Sequence, residues 1–263
     1  MKRPVIVLLV AMFLISSSAV AVSAKTDRPP TLQDRGIEKT VFIHYEAPGK
    51  PPGTPGNGPG GGGGGGDEPK EEQGYKLFRG GIKWADGDTP ISYLINTASI
   101  TALINPGAIN PVDEIIAAFE AWDAATSQEL FNDTSGTTTA SGANPYDGNI
   151  ISWANLGDPG IIAVTTFWWW KGTKELAAFD MEFNTQFKWG IDSDGEATGY
   201  VLSGAMDIRN IATHEAGHTM VLEDLYQDQL SEMTMYGYST EGDVKAISLE
   251  PGDIAGVRAL YGS

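Results

Sequence analysis

The clearest periodicity in the chain lies between residues 110 and 126. Val112, Ile115, Ile116, Phe119 and Trp122 recur at the spacing of one helix face, so this stripe is expected to be core. Asn110 supplies an N-cap, Pro111 fits the first turn, and Asp113 and Glu114 face the positive helix end. Strand-like runs surround it: residues 91–96 (ISYLIN) before, then 149–154 (NIISWA), 161–169 (IIAVTTFWW) and 177–184 (AAFDMEFN), separated by glycine, proline and lysine. A second helix is predicted around THEAGHTM, and a last one from Pro251, with Ile254, Val257 and Leu260 on one face and Gly262 beyond. Strands followed by segregated helices make an α+β plan, and the chain carries no internal repeat.

The ends of the pattern read differently. Lys2 and Arg3 precede an apolar run from Val5 to Ile15, and small residues follow to Ala24. Residues 1–24 therefore read as a secretory signal peptide, its core short for a bilayer span, with cleavage expected after Ala24. The expectation is a secreted, extracellular protein with no stable membrane association after that cleavage. Residues 25–47 hold one strand-like run, 40–45; residues 48–73 are rich in proline and glycine, then charged, with nothing apolar to bury, and read as a linker. A strand ahead of a tether is where a removable propeptide would sit, and an extra strand paired with the domain is the other reading. The folded domain is expected over residues 74–263, long enough for one full core.

Composition narrows the chemistry. The chain has no cysteine, which excludes disulfides and any thiol nucleophile. Without Lys2 and Arg3, 15 basic residues remain against 34 acidic ones, which argues against nucleic acid or an anionic membrane as partner.

Three histidines are present, and two of them, His214 and His218, lie four apart. On a helix both imidazoles then reach one ion, and Glu215 beside them is placed to take a proton from a metal-activated water, the H-E-x-x-H arrangement for zinc. A catalytic zinc usually needs a third protein ligand. His44 lies before the linker and can join only as part of a propeptide or a docked strand. Asp224 is the best-placed carboxylate, but a continuous helix would carry it roughly 240° round and about 9 Å along, so the chain must break between Met220 and Asp224.

THEAGHTMVLED (213–224) resembles the metzincin signature H-E-x-x-H-x-x-G-x-x-H/D, with Asp224 at the third-ligand position. Val221 stands where the family has glycine, and valine resists the positive φ of such a turn. A turn shifted by one residue would make Glu223 the substitute ligand. SEMTMYGYS (231–239) is similar to the Met-turn, with Met235 the methionine and Met233 the alternative. PGDIAGVRALYG (251–262) resembles the matrixin terminal helix D-D-I-x-G-I-Q-x-L-Y-G, and YKLFRGGIKW, AFEAW and FDMEFNTQFKW sit where matrixins have similar runs.

That resemblance implies a twisted mixed sheet packed on two long helices, with a small C-terminal lobe ending in a helix. It implies a secreted zinc endopeptidase that cleaves protein or peptide substrates laid beside an edge strand, residues 161–167. His214, His218 and Asp224 would hold zinc, Glu215 would be the general base, and Tyr236 or Tyr238 would shape the pocket, steady the oxyanion or simply pack. Matrixins commonly block their zinc with a cysteine, so any latency here must work otherwise; the histidine count excludes a second, histidine-bound zinc. Calcium is possible at residues 192–196 (DSDGE), although Ser203 stands where an EF-hand loop has its closing glutamate.

Two other readings compete. A gluzincin-type metallopeptidase would take a downstream glutamate as ligand, Glu232 or Glu241. A non-catalytic, zinc-stabilised extracellular binding module would use FWWWKG (167–172) as a contact surface, since adjacent tryptophans on one strand cannot all point inward.

Overall fold

The computed structural model describes residues 36–47, 74–100, 103, 110–191 and 204–263. The expected signal peptide, the linker and the acidic turn at 192–196 lie outside them. The chain divides into Met1–Pro30, also outside, and Thr31–Ser263, which holds every element below. In order these are β1 (Ile37–Glu46), β2 (Leu94–Ile95), α1 (Pro111–Asp123), β3 (Gly136–Thr137), β4 (Ile150–Ala154), β5 (Ile161–Trp170), β6 (Leu176–Asn184), β7 (Trp189–Gly190), β8 (Met206–Asp207), α2 (Ile208–Thr219), β9 (Tyr238–Ser239) and α3 (Pro251–Tyr261).

Seven strands form one mixed sheet in the order β3-β2-β4-β6-β5-β1-β9, and β7 and β8 pair separately. The β5 strand is antiparallel to both its neighbours, whereas β2, β3, β4 and β6 run parallel, and so do β1 and β9. With three helices beside it, this is a mixed α and β fold in keeping with the α+β expectation.

The helix α1 forms where its pattern placed it. The Asn110 side chain accepts from Val112 N, and Ile115, Phe119 and Trp122 are fully buried while Val112 and Ile116 pack at the margin. Burying side chains of that size contributes about 1.5–3 kcal/mol each. The same face packs on α2: Trp122 Nε1 donates to Thr213 O at 2.9 Å, and Arg209 pairs with Glu114 at 2.5 Å. The functional helix is thereby fixed from behind.

Three expectations need correction. The run 91–96 contributes only Leu94–Ile95 as strand, because Asn96 accepts from Ser99 N and turns the chain. The β5 strand is not an edge: β1 covers it and β9 lies beyond, a pairing between distant segments that no local pattern announces. The tryptophans are not a contact surface either. Trp168 and Trp169 are both buried, and Trp169 packs on Phe78 and Phe167 beneath the Arg79 guanidinium, while Trp170 is half-buried.

Candidate metal centre

Asp207 caps α2 by accepting from Asn210 N at 2.8 Å, and from Asn210 to Thr219 every residue is buried. His214 and His218 therefore point from one helix face into the interior of the protein, not into solvent. The helix stops at once after them. Met220 N and Leu222 N both donate back to Gly217 O, and Val221 takes φ +59°. The alternative of a turn shifted by one residue does not occur; valine itself adopts the left-handed conformation, at a strain of order 1–3 kcal/mol. Tertiary contacts hold it there: the Val221 side chain is fully buried and its carbonyl accepts from Phe78 N at 3.0 Å.

This break brings Asp224 back over the helix. Its Oδ1 lies 3.2 Å from His214 Nε2 and 3.3 Å from His218 Nε2. The other ring nitrogens are committed: His214 Nδ1 faces Thr234 O and His218 Nδ1 faces Leu222 O, each at 2.7 Å. A carbonyl can only accept, so each Nδ1 carries a proton, and each Nε2 of a neutral ring turns a lone pair inward. His214 Nε2, His218 Nε2 and Asp224 Oδ1 are all buried without a hydrogen-bond partner. Three converging orphaned acceptors are costly unless something positive sits among them, and two imidazoles with one carboxylate form a donor set of catalytic zinc sites. The residues present fit a divalent metal.

Without a cation, protonated imidazoles facing Asp224 would supply the positive charge instead. Burial alone would raise the Asp224 carboxyl, but His218 and His214 outweigh it and hold that carboxyl well below its ordinary range. Burial opposes protonation of His218, yet Asp224 and then Glu215 raise its pKa overall. Tyr226 donates its hydroxyl to Asp224 Oδ2 at 3.1 Å and so fixes which oxygen faces the histidines; burial and then the Asp224 charge push the phenol pKa up. The alternatives fall away on geometry. Glu223 turns out to Lys76 at 2.7 Å, and Glu232 and Glu241 are exposed. Among the described residues none of the three joins a group able to share a metal.

Glu215 lies beside the three ligand atoms. Its Oε2 accepts from Thr165 Oγ1 of β5 at 2.6 Å, while Oε1 has no hydrogen-bond partner. Facing Oε1 at 3.4 Å is His44 Nδ1, a buried residue of β1 whose ring stacks on that of His214 with centroids 3.8 Å apart. Burial and the neighbouring His214 lower His44 to about 4, so its ring is neutral. Burial would raise the Glu215 carboxyl, but His44, His218 and His214 together bring it below its ordinary value. His44, Phe42 and the ligands are one packed group, for Phe42 stacks on His218 at 4.3 Å.

The floor beneath the candidate ligands is also built. A Cβ on Gly217 would meet Met235 Sδ at 2.3 Å and the Trp122 ring at 2.8 Å, so only glycine lets the methionine lie against α2. Met235 is fully buried there, and Met233 is not. Asp253 of α3 holds this turn, accepting from Thr234 N at 2.9 Å and Met235 N at 3.2 Å. Beside His214 a recess opens between Thr234, Tyr236, Tyr238, Asp243 and Lys245, with His44 at its side. Tyr238 packs edge-on against Tyr226 and Tyr236, in keeping with a packing role.

The residues singled out for metal and base, His214, His218, Asp224 and Glu215, are thus brought together. Sequence reasoning missed Thr165, Tyr226 and Asp253, and it placed His44 no nearer than a docked strand. A faint signal existed for Thr165, a polar pair inside an otherwise apolar run, and for Tyr226, two residues from a proposed ligand. Comparison with protein-family models and with curated proteins finds no match to this chain.

Proposed function

We propose that the protein is a zinc-dependent endopeptidase of the matrixin-like metzincin kind, exported from the cell. One observation carries this: three buried, unpartnered acceptor atoms from His214, His218 and Asp224 converge beside a carboxylate held by one oxygen. Zinc bound there would supply Lewis-acid polarisation of a scissile carbonyl and of water. Glu215 Oε1 takes the proton from the attacking water as oxygen adds to the carbonyl carbon, then delivers it to the leaving nitrogen as the C–N bond breaks. Thr165 keeps the other oxygen occupied, so the carboxylate cannot rotate away from its task. The signal-like pattern of residues 1–24 supports a place outside the cell, and the formal charge of −17 argues against nucleic acid or an anionic membrane as partner. The Met235 turn, the break at Val221 and the terminal helix α3 support the metzincin reading over a gluzincin.

Elemental analysis of the purified full chain is the direct test. One zinc per chain is expected, retained in Glu215→Gln and lost in Asp224→Ala. Iron in place of zinc, or unchanged zinc in Asp224→Ala, would sink the assignment.

A further inference from the structure

The β1 strand fills a slot one strand wide over the metal centre. On one side lies β5, antiparallel, from Ile37 opposite Trp170 to Tyr45 opposite Ile161. On the other lies β9, parallel, with Tyr45 opposite Tyr238 and Glu46 opposite Ser239. Main-chain bonds close both flanks: Glu46 N donates to Gly160 O and Ala47 N to Ser239 O, each at 2.9 Å. Without β1, β5 would be a bare sheet edge and β9 would lose its neighbour in the sheet. An open edge facing a second wall is how proteins take up an extended polypeptide by strand addition.

The inner face of β1 is matched to the centre. Phe42 stacks on His218 and on Phe167 at 5.4 Å, and meets Phe78 edge-on at 6.1 Å. Two residues on, His44 lies against His214 and the free oxygen of Glu215. Between His44 and Tyr45 the register skips Ile162, a local irregularity of the kind that re-aims a side chain beside a site. His44 Nδ1 has only the long 3.4 Å approach to Glu215 Oε1, and Nε2 is buried without a hydrogen-bond partner. A purely structural strand gains little from such an imidazole, because burying its Nε2 unsatisfied is costly. As a stopper it does two things: it takes the space in which water and a carbonyl must meet Glu215, and it offers a further nitrogen lone pair at the metal centre.

We propose that β1 is a built-in inhibitor, a substrate-like strand that closes the groove and sets His44 over the metal centre, and that activity begins when β1 leaves its slot. The inference rests on the metallopeptidase reading of that centre.

The test uses the zinc-loaded full chain as wild type, His44→Ala and Phe42→Asp, the last placing a charge among the aromatic rings that seat the strand. Two rates are measured on each: removal of zinc by 1,10-phenanthroline and hydrolysis of casein, with near-ultraviolet circular dichroism as the check on folding. Wild type is expected to be slow in both. His44→Ala should be faster by on the order of tenfold in both, the effect of one buried polar contact, and Phe42→Asp faster still. A synthetic peptide of residues 36–47 should slow both rates of Phe42→Asp, and the same peptide with alanine for His44 should do so less. Equal rates in all three folded proteins overturn the inhibitor and leave the peptidase reading standing. Faster zinc removal without any hydrolysis keeps β1 as the cover of the centre and sinks the peptidase reading. Should Phe42→Asp not fold, unchanged rates in His44→Ala decide against the proposal.

Discussion

Individual side chains set the chemistry of this protein, and two of them invite direct tests. Val221 combines a left-handed backbone with a buried side chain. Replacing it with glycine removes strain of order 1–3 kcal/mol and loses burial of about 1.5–3 kcal/mol, so the two nearly cancel. Val257 is equally buried, but in the regular helix α3. There Val257→Gly loses burial and helix propensity together, about 2–4 kcal/mol. Urea unfolding of both variants should show a change within about 1 kcal/mol at 221 and a much larger loss at 257; equal losses would mean that Val221 is unstrained. Thr165 is the second case. Valine there keeps the shape but removes the 2.6 Å bond to Glu215. A hydrogen bond to a charged group is worth about 1.5–3 kcal/mol, so kcat should fall roughly 10- to 100-fold with KM and zinc content little changed. Measured in the His44→Ala background, Thr165→Ser should restore most of the rate; failure of serine to do so would reduce Thr165 to a packing residue.

At the scale of elements, the legible parts are those written in local periodicity. The stripe on α1, the cap at Asn110, the runs that became β4, β5 and β6, and the proline-led start of α3 all needed only neighbouring residues to be read. The spacing of His214 and His218 was legible for the same reason, and the helix geometry alone required a break before Asp224. What could not be read was pairing at a distance. The partnership of β1 with β5 joins segments separated by more than a hundred positions, and it decides both that β5 is interior and that His44 meets Glu215. The role of Thr165 was only faintly marked, since its partner lies 50 residues away. Val221 was misjudged because a local preference was overridden by the packing of its side chain and the bond to Phe78.

Across the whole molecule, acidity and burial act together on stability. Asp180 accepts from Asn144 N and Ile150 N, and Asp123 from Leu130 N and Phe131 N, yet burial dominates and raises each carboxyl to about 7. A folded pKa above the unfolded value means that the native chain binds more protons between about 4 and 7. The stability these two carboxyls contribute is therefore greatest at the acid side of that window and is lost as pH rises through it; the formal charge of −17 adds repulsion in the same direction, while His44, lowered to about 4, acts in the opposite sense and offsets part of the decline. Urea midpoints taken across this range should decline for wild type and decline less steeply for Asp180→Asn. Parallel curves would assign the slope to other groups.

The hydrogen bonds beneath the candidate metal ligands would also impose an order in time. His214 is oriented by the carbonyl of Thr234, and Thr234 is held by Asp253, which belongs to the last helix. A chain still being synthesised passes through a stage in which both histidines and their glutamate exist but nothing yet fixes their rings. On the proposed reading, the histidines would take their working orientation only once α3 has emerged and docked, so the position of one aspartate would delay the chemistry until the chain is complete.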